Sequence, residues 1–326
     1  MTKVTPTGNL ILSADAPREA WLEARKDGIT ATDLPAILGL NKYKTAIDVW
    51  TEKLGHSDSS FEPALGKQEA ALWGIALEDV VAKTWAEQTG LGVRRIGIIE
   101  HEETPWMRAS LDRLVTGCPD GRCGLEVKTR SSHVSSEWSK GVPEDVLAQV
   151  RWQLLVSGLD HIHVIALLGG QRLEQHVVEN DGFDRSELIT PAATVWESVK
   201  TGDAPKLPEA LWTDDYLEQL HPERAGEVEV DVDTAVLVTE YERVSDEIGK
   251  LEDRKKELRT QLVGALGEYE VATVDGRTLY TYKSSNTRRL DSKSLEKLYP
   301  DAVADDRVYS TSTTRTFRIA TKKESK

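Results

Sequence analysis

Between residues 18 and 90 the apolar positions recur at helical spacing. Trp21, Leu22 and Arg25 lie in a helical pattern ahead of Gly28. Thr30-Ala31-Thr32-Asp33 has the form of a capping box, a hydroxyl followed three positions on by a carboxylate. Each can satisfy a backbone N–H that a first helical turn leaves unpaired, so a helix is predicted through Leu34, Ile37 and Leu38 to Gly39. Thr45-Ala46-Ile47-Asp48 repeats the device, and Ile47, Trp50 and Leu54 then share a face. Beyond a polar loop from His56 to Ser60, a long helix is predicted from about Gly66 to Gln88. Its expected buried stripe is Trp73, Leu77, Val80, Val81 and Thr84, and Gly90 ends it.

After Gly90 the pattern reads as strands. Gly92–Glu100, Trp106–Val115 and Gly124–Thr129 are strand-like, and a helix follows over about Pro143–Ser157. His161–Leu168 and Arg172–Glu179 alternate and are joined by Gly169-Gly170, and a helix near Asp184–Val199 closes the region. This order predicts an α/β core over residues 1–205. Pro205, Pro208 and Pro222 mark an expected connector over 206–226. From Leu237 an apolar repeat of alternating four and three steps runs through Tyr241, Val244, Ile248, Leu251, Lys255, Leu258, Leu262 and Ala265, polar only at Lys255. Residues 227–270 are therefore read as a long helix or coiled coil, serving oligomerisation or packed on its own chain. Residues 271–326 alternate in Thr278–Lys283 and Tyr309–Ile319, as expected of a small basic β-rich tail.

With 326 residues and 39% hydrophobic content, the chain can bury a sizeable core. No apolar run is long enough for a membrane span, and the N-terminus lacks the basic-then-apolar order of a secretory signal, so a cytoplasmic protein is expected. The two cysteines, Cys118 and Cys123, form no disulfide framework and complete no four-thiolate site alone. They are read as small residues flanking the turn at Pro119–Gly121. His161 and His163 share one face of a strand with no third ligand evident, and are read as structural. The net charge of −14 argues against bulk attraction to DNA, but its distribution is uneven. Residues 227–270 hold 13 acids and 6 bases (−7), residues 271–326 hold 7 acids and 12 bases (+5), and the remainder carries −12. Surplus carboxylates suit a protein that collects divalent cations.

One constellation carries chemistry. Asp112 ends the strand-like run Arg108-Ala109-Ser110-Leu111-Asp112, and Glu126-Val127-Lys128 follows fourteen residues later. Residues i and i+2 of a strand share a face, so Glu126 and Lys128 point together, and a neighbouring strand can bring Asp112 beside them. Two carboxylates and the carbonyl of Val127 form an oxygen-rich site suited to Mg²⁺, and two such ions would clamp both sides of an in-line displacement. The lysine can orient a water or stabilise charge on a phosphate. Glu78 adds a carboxylate from the preceding helix, close to Gly74, and Gln149 stands on the helix that follows.

The order Gly-x3-Glu, Asp, Glu-x-Lys, Gln, carried by Gly74, Glu78, Asp112, Glu126, Lys128 and Gln149, is similar to that of the PD-(D/E)XK nuclease superfamily. Arg25-Lys26-Asp27-Gly28-Ile29-Thr30-Ala31-Thr32-Asp33 with Ile37-Leu38-Gly39-Leu40-Asn41-Lys42-Tyr43-Lys44-Thr45 resembles the opening of YqaJ-type viral recombinases, relatives of lambda exonuclease. Trp106–Asp112 and Ala148-Gln149-Val150 resemble two further blocks of that family, and the resemblance spans about residues 18–180. It implies a restriction-endonuclease-like core, a mixed sheet flanked by helices, with the helical and β-rich segments as an extension. It also implies 5′→3′ digestion of linear double-stranded DNA with Mg²⁺ (Mn²⁺ substituting), leaving a 3′ single strand for an annealing recombinase. By the same resemblance Asp112, Glu126, Val127 and Glu78 hold metal, Lys128 assists the nucleophile and Gln149 supports the site. Arg25 and Thr32 would grip a 5′ phosphate, as a guanidinium fork and a hydroxyl at a helix start can. Arg25 as a plain helix-end cation stays open. A further phosphate-gripping base after Lys128 falls on Arg130 or His133, which the sequence does not separate. A ring trimer or tetramer and a phage or prophage source belong to the same implication. Two other readings stay open, an endonuclease or structure-specific nuclease on this core and a non-catalytic DNA-binding or assembly protein.

Overall fold

The computed structural model describes residues 2–55, 65–221, 226–285, 291–303 and 305. The chain divides into two compact units, Met1–Arg224 and Ala225–Lys326. Among the described residues the first unit has ten strands: β1 (Thr2–Lys3), β2 (Gly8–Leu12), β3 (Ile29–Thr30), β4 (Gly92–Arg94), β5 (Ile98–His101), β6 (Met107–Ser110), β7 (Arg113–Thr116), β8 (Cys123–Arg130), β9 (His161–Leu168) and β10 (Arg172–Glu179). Its helices are α1 (Arg18–Lys26), α2 (Leu34–Ile37), α3 (Ala46–Lys53), α4 (Leu65–Thr89), α5 (Ser135–Trp138), α6 (Glu144–Ser157), α7 (Ser186–Thr201) and α8 (Asp214–Leu220). The strands form two mixed sheets, ordered β1-β2-β5-β6-β3 and β10-β9-β8-β7-β4. β3 runs parallel to β6 and β8 parallel to β9; the other pairs are antiparallel. The parallel β8–β9 pair needs a long crossover, which α6 supplies.

Both expected capping boxes are present. Thr30 with Asp33 opens a short 3₁₀ turn leading into α2, and Thr45 with Asp48 opens α3. Gly169 and Gly170 both lie in the left-handed region, at φ 59° and 72°, in the three-residue connection between β9 and β10, where Gln171 N donates to the Leu168 carbonyl at 3.2 Å.

Two expected strands are each broken in the middle. Gly92–Glu100 becomes β4 and β5, and Trp106–Val115 becomes β6 and β7, so both arms leave one sheet and enter the other. Gly97 stands at the first break, where a Cβ would sit 1.7 Å from the Leu12 carbonyl oxygen. The second break falls at Leu111-Asp112. Period-two alternation continues across such a bend, so the pattern alone does not reveal it.

The main core joins the sheets to α2, α3, α6 and α7 around Ile29, Leu34, Ile37, Ile99, Trp152, Ile162 and Val195. A smaller core packs Val81, Ala82 and Trp85 of α4 against Val115, Cys123, Leu125, Val127 and Ile165. This corrects the stripe expected for α4. Val81 is buried, but Trp73 and Val80 are 59% and 57% exposed, and Leu77 and Thr84 are half-buried. The helix lies on the sheet by its small and late apolar residues, and Leu72, Trp73 and Ile75 stay outside. The segment after Pro205, expected as a connector, is packed. Tyr216 is buried, donates its hydroxyl to the Pro205 carbonyl at 2.6 Å and accepts from Leu207 N at 3.1 Å, while Gln219 Nε2 donates to Asp48 at 3.0 Å.

In the second unit, α9 (Val232–Leu266) is one 35-residue helix, opened by Asp231, which accepts from Thr234 N at 2.8 Å. Its apolar repeat is solvent-facing, with Leu237, Tyr241, Ile248, Leu251 and Leu262 all exposed. β11 (Val271–Val274) and β12 (Arg277–Thr281) form a hairpin, followed by α10 (Ser292–Leu298) and α11 (Pro300–Val303). The expected loop His56–Ser60 and the expected strand Tyr309–Ile319 lie outside the described residues. Among the described residues no helix is long and apolar enough to cross a membrane.

The bend at Gly97 yields a direct test. Gly97→Ala forces backbone apart where α or β repacking offers no relief, and is expected to cost about 2 kcal/mol or more. Urea denaturation should show a lower midpoint than for Gly170→Ala, where a Cβ meets nothing within 4 Å and only the positive φ opposes it. Equal losses would remove the steric account of the bend.

Candidate active site

Glu126 is almost wholly buried, and a carboxylate in that position needs donors on both oxygens. Lys128 Nζ at 2.5 Å and Gln149 Nε2 at 2.7 Å donate to Oε1, and Gln153 Nε2 at 2.7 Å donates to Oε2. Lys128 also donates to Gln149 Oε1 at 2.9 Å, closing a triangle. Gln149 and Gln153 stand one helical turn apart on α6 and so face β8 together. Gln153 additionally reaches the Ser110 carbonyl at 2.9 Å, and the Trp152 indole donates to the Arg108 carbonyl at 3.1 Å, which fix α6 over the end of β6.

Asp112 sits in the gap between β6 and β7. Its Oδ2 accepts from Val127 N at 2.7 Å. β7 pairs with β8 only at Leu125 and Gly124, so beyond Leu125 that edge of β8 is left to Asp112. The N–H and C=O of one extended residue point to the same edge, so the Val127 carbonyl faces the Asp112 side as well.

Glu78 comes in from α4, which approaches β8 closely where Gly74 lies 3.5 Å from Thr129 Oγ1 as a Cβ would be placed. Arg113, buried, donates to Glu78 at 2.6 Å, to the Asp112 carbonyl at 2.5 Å and to Asp79 at 3.2 Å. Burial raises the Asp112 pKa well above the usual carboxylate range, and the negative charges of Glu126 and Glu78 raise it further. Lys128 and the Val127 amide pull the other way without prevailing. A site in which one carboxylate resists ionisation beside two others is short of positive charge. An all-oxygen donor set with that deficit fits a divalent cation, and Asp112, Glu126, Glu78 and the Val127 carbonyl are the groups that could hold one.

A second cluster has the opposite balance. Asp33 is fully buried and accepts from Thr30 N at 2.9 Å and Thr30 Oγ1 at 2.7 Å. Lys53 Nζ lies 2.7 Å from it, Lys44 3.6 Å and Arg25 4.0 Å. Burial alone would raise the Asp33 pKa, but the three cations together hold it well below the usual carboxylate range. Lys53 also donates to the Arg25 carbonyl at 2.7 Å, and Lys44 pairs with Glu52. Arg25 donates to Thr32 Oγ1 at 2.7 Å and stacks over the Trp21 ring at 4.5 Å. Arg25 and Thr32 are thus adjacent, with Thr32 exposed. β3 is parallel to β6 with Thr30 opposite Arg108, so Thr32 and Asp112 both follow the C-terminal ends of neighbouring parallel strands, where α/β sheets commonly place ligands.

Arg130 and His133 are separated from these clusters. Arg130 is exposed at the end of β8, 4.0 Å from Asp145, in a cleft of about 920 Å³ lined also by Asn41, Lys42, Tyr43 and Lys140. His133 is exposed in the short turn Ser132–Val134 that follows. Sequence reasoning did not assign Gln153, Arg113, Asp33, Lys44 or Lys53. Only Gln153 had a local signal, its one-turn spacing from Gln149.

The carboxylate deficit sets a stability test. A carboxyl whose folded pKa is raised stabilises the fold fully only below its unfolded pKa, and that contribution is lost as pH rises through the folded value. Asp112→Asn, which keeps the acceptor for Val127, should therefore raise the unfolding midpoint at pH 8 in metal-free buffer, by roughly 1 kcal/mol or more, with the gain fading toward pH 4. Equal destabilisation at both pH values would contradict the charge account.

Comparison with known proteins follows the same residues. The family model of the YqaJ-like viral recombinase domain matches residues 20–160. An uncharacterized protein YqaJ from Bacillus subtilis (strain 168) is 29% identical over 299 residues, covering 90% of this chain and 91% of that protein. Among solved structures, an alkaline exonuclease (LHK-Exo) from Laribacter hongkongensis is 17% identical with a TM-score of 0.46, covering 56% of this chain and 93% of that one. A second LHK-Exo structure, in complex with dAMP, is 17% identical with a TM-score of 0.45, covering 62% and 96%. Residues 20–160 are thus similar to the YqaJ-like viral recombinase domain, and the likeness to a protein of that name runs along nine-tenths of the chain.

Proposed function

We propose that the chain is a Mg²⁺-dependent deoxyribonuclease that digests linear double-stranded DNA from 5′ ends, leaving 3′ single strands for an annealing recombinase. The observation that carries the reading is the meeting of Asp112, Glu126 and Glu78 with Lys128 at the edge of β8, the lysine locked by Glu126 and Gln149. The recombinase-type domain match supports DNA as substrate.

Two divalent ions bound there would supply Lewis acidity and lower the pKa of a water. The chain's own groups do the positioning. Glu126, pinned by Gln149 and Gln153, holds the Lys128 ammonium, whose one remaining N–H can meet a water or a phosphoryl oxygen. In the hydrolysis a water oxygen bonds to phosphorus as the P–O3′ bond breaks. The 3′ oxygen leaves with a proton, and the shortened strand keeps a 5′ phosphate. That product end has the same chemistry as the starting end, so a pocket for it is refilled at each cycle. Arg25, Thr32, Lys44 and Lys53 form the cationic cluster suited to that phosphate, with Asp33 holding the cations in place. Arg130 ends β8 and His133 stands in the turn beyond it, where the duplex would continue.

The test is digestion of linear duplex DNA with Mg²⁺ or Mn²⁺, comparing 5′-phosphate with 5′-hydroxyl ends and a covalently closed circle. Wild type is expected to consume the linear forms only and to prefer the 5′ phosphate. Asp112→Asn and Lys128→Met should lose at least about 10³-fold in rate, while Arg25→Ala should lose mainly the preference between ends. Cleavage of the circle would replace the exonuclease reading by an endonuclease. No cleavage with any metal, with DNA binding intact, would leave an assembly protein.

The same proposal includes self-association, as in a ring trimer or tetramer. A 35-residue helix with Leu237, Ile248, Leu251 and Leu262 exposed along one repeat has the spacing of a coiled-coil seam. Sedimentation should give a stable oligomer that Leu251→Glu with Leu258→Glu dissociates; a concentration-independent wild-type monomer would end this part.

A further inference from the structure

The four side chains that carry both cysteines and two of the histidines meet in one place. Cys118, Cys123, His161 and His163 offer ligand atoms that all lie within 4.8 Å of one another. In the sequence the cysteines flank a turn and the histidines form a pair with no third ligand evident. The parallel β8–β9 register corrects both, because it sets Cys123 directly beside His161. His163 follows on the same face of β9, and Cys118 returns from the end of β7 through Gly117, whose φ is 82°.

The distances among Cys118, His161 and His163 match those around one ion. A tetrahedral zinc with Zn–S of about 2.3 Å and Zn–N of about 2.05 Å implies N···N near 3.3 Å and S···N near 3.6 Å. Here His161 Nε2 and His163 Nε2 are 3.2 Å apart, and Cys118 Sγ lies 3.6 Å and 3.9 Å from them. Two imidazole nitrogens and two thiol sulfurs are ligands of the kind a soft or borderline cation takes, and one such ion can meet all four at once. The surroundings are built rather than incidental. Cys123 and His161 are buried, and Trp85 of α4 stacks on His163 at 5.0 Å. The Cys118–Cys123 turn is pinned to the start of β9, since Arg122 N donates to Asp160 Oδ2 at 2.7 Å and Asp160 N donates to the Arg122 carbonyl at 2.8 Å.

We infer that Cys118, Cys123, His161 and His163 form a structural zinc site, separate from the carboxylate site. Cys123 and Glu126 lie on opposite faces of β8, so the two sites are divided by the strand itself. Four protein ligands leave no open position, which marks a stapling role and not a catalytic one. The ion joins the β7–β8 turn to β9 and so fixes the register in which β8 presents Glu126 and Lys128.

The full-length protein, purified without chelator, is analysed for zinc by mass spectrometry and, after replacement with Co²⁺, by absorption spectroscopy. The expected result is about one zinc per chain and a Co²⁺ spectrum with thiolate-to-metal charge transfer and intense tetrahedral d–d bands. Both should vanish in Cys118→Ser and in His163→Ala and persist in Asp112→Asn. A zinc-selective chelator in excess Mg²⁺ should lower the unfolding midpoint of wild type by roughly 5 °C or more and leave Cys118→Ser unmoved. The inference fails if zinc stays below about a tenth of an ion per chain even after incubation with Zn²⁺. It fails also if the Co²⁺ form lacks the charge-transfer band, if Asp112→Asn rather than Cys118→Ser loses the metal, or if a Cys118–Cys123 disulfide persists under reductant. The charge-transfer band is read on wild type, so it decides the matter even where a variant does not fold.

Discussion

A strand shows its side chains to two sides only, and β8 has a different task on each. Cys123, Leu125 and Val127 face α4 and the smaller core, while Glu126 and Lys128 face α6. Glu126 is the more demanding partner. A buried carboxylate without donors would cost several kcal/mol, so Gln149, Gln153 and Lys128 all turn to it. Those bonds seat α6 on β8, and α6 is the crossover that makes β8 and β9 parallel. The parallel register in turn brings Cys123 against His161. The position of one acid is thus tied to the sheet topology on both faces of the strand.

Charge is arranged in two unbalanced clusters instead of being neutralised locally. Around Asp112 the acids exceed the cations; around Asp33 the cations exceed the acid. At 4 Å two like charges repel by about 4 kcal/mol at an effective dielectric of 20, so neither imbalance is trivial. Both persist because each is fixed by backbone that the core has already ordered, the break after β6 in one case and the Thr30–Asp33 capping box in the other. A deficit of positive charge suits a divalent metal and a surplus suits a phosphate. The parallel pairing of β3 with β6 sets these two sites at neighbouring strand ends.

What could be read from the sequence depended on distance along the chain. The Glu126-x-Lys128 spacing, the capping boxes and the glycine hairpin are local, and the structure contains them as expected. Asp112 was legible as a site candidate, but not as the residue at which an arm changes sheets, since alternation runs unbroken through the bend. The apolar stripe of α4 was misread because Trp73 and Val80 satisfy helical spacing while the face that docks is the one bearing Gly74, Glu78, Val81 and Trp85. Lys44 and Lys53 carry no local signal in the sequence; only the fold sets them around a buried aspartate. The Cys/His cluster joins residues from three strand ends, and no spacing rule reaches across a crossover of that length.

The overall charge of −14 bears on how such a chain could handle DNA. Counterion release scales with the number of phosphates contacted, and an acidic body contacts few. Affinity must then come from local features: the cations held by Asp33, the exposed Arg130, and whatever metal the carboxylates collect. An enzyme that depends on a few contacts at one end gains little from duplex interior, where those contacts have no terminal phosphate to meet. On the nuclease reading, the same negative surface that weakens general attachment sharpens the preference for ends. Repeated copies around a seam such as α9 would restore the grip on the duplex, by holding several weak surfaces against one strand at once.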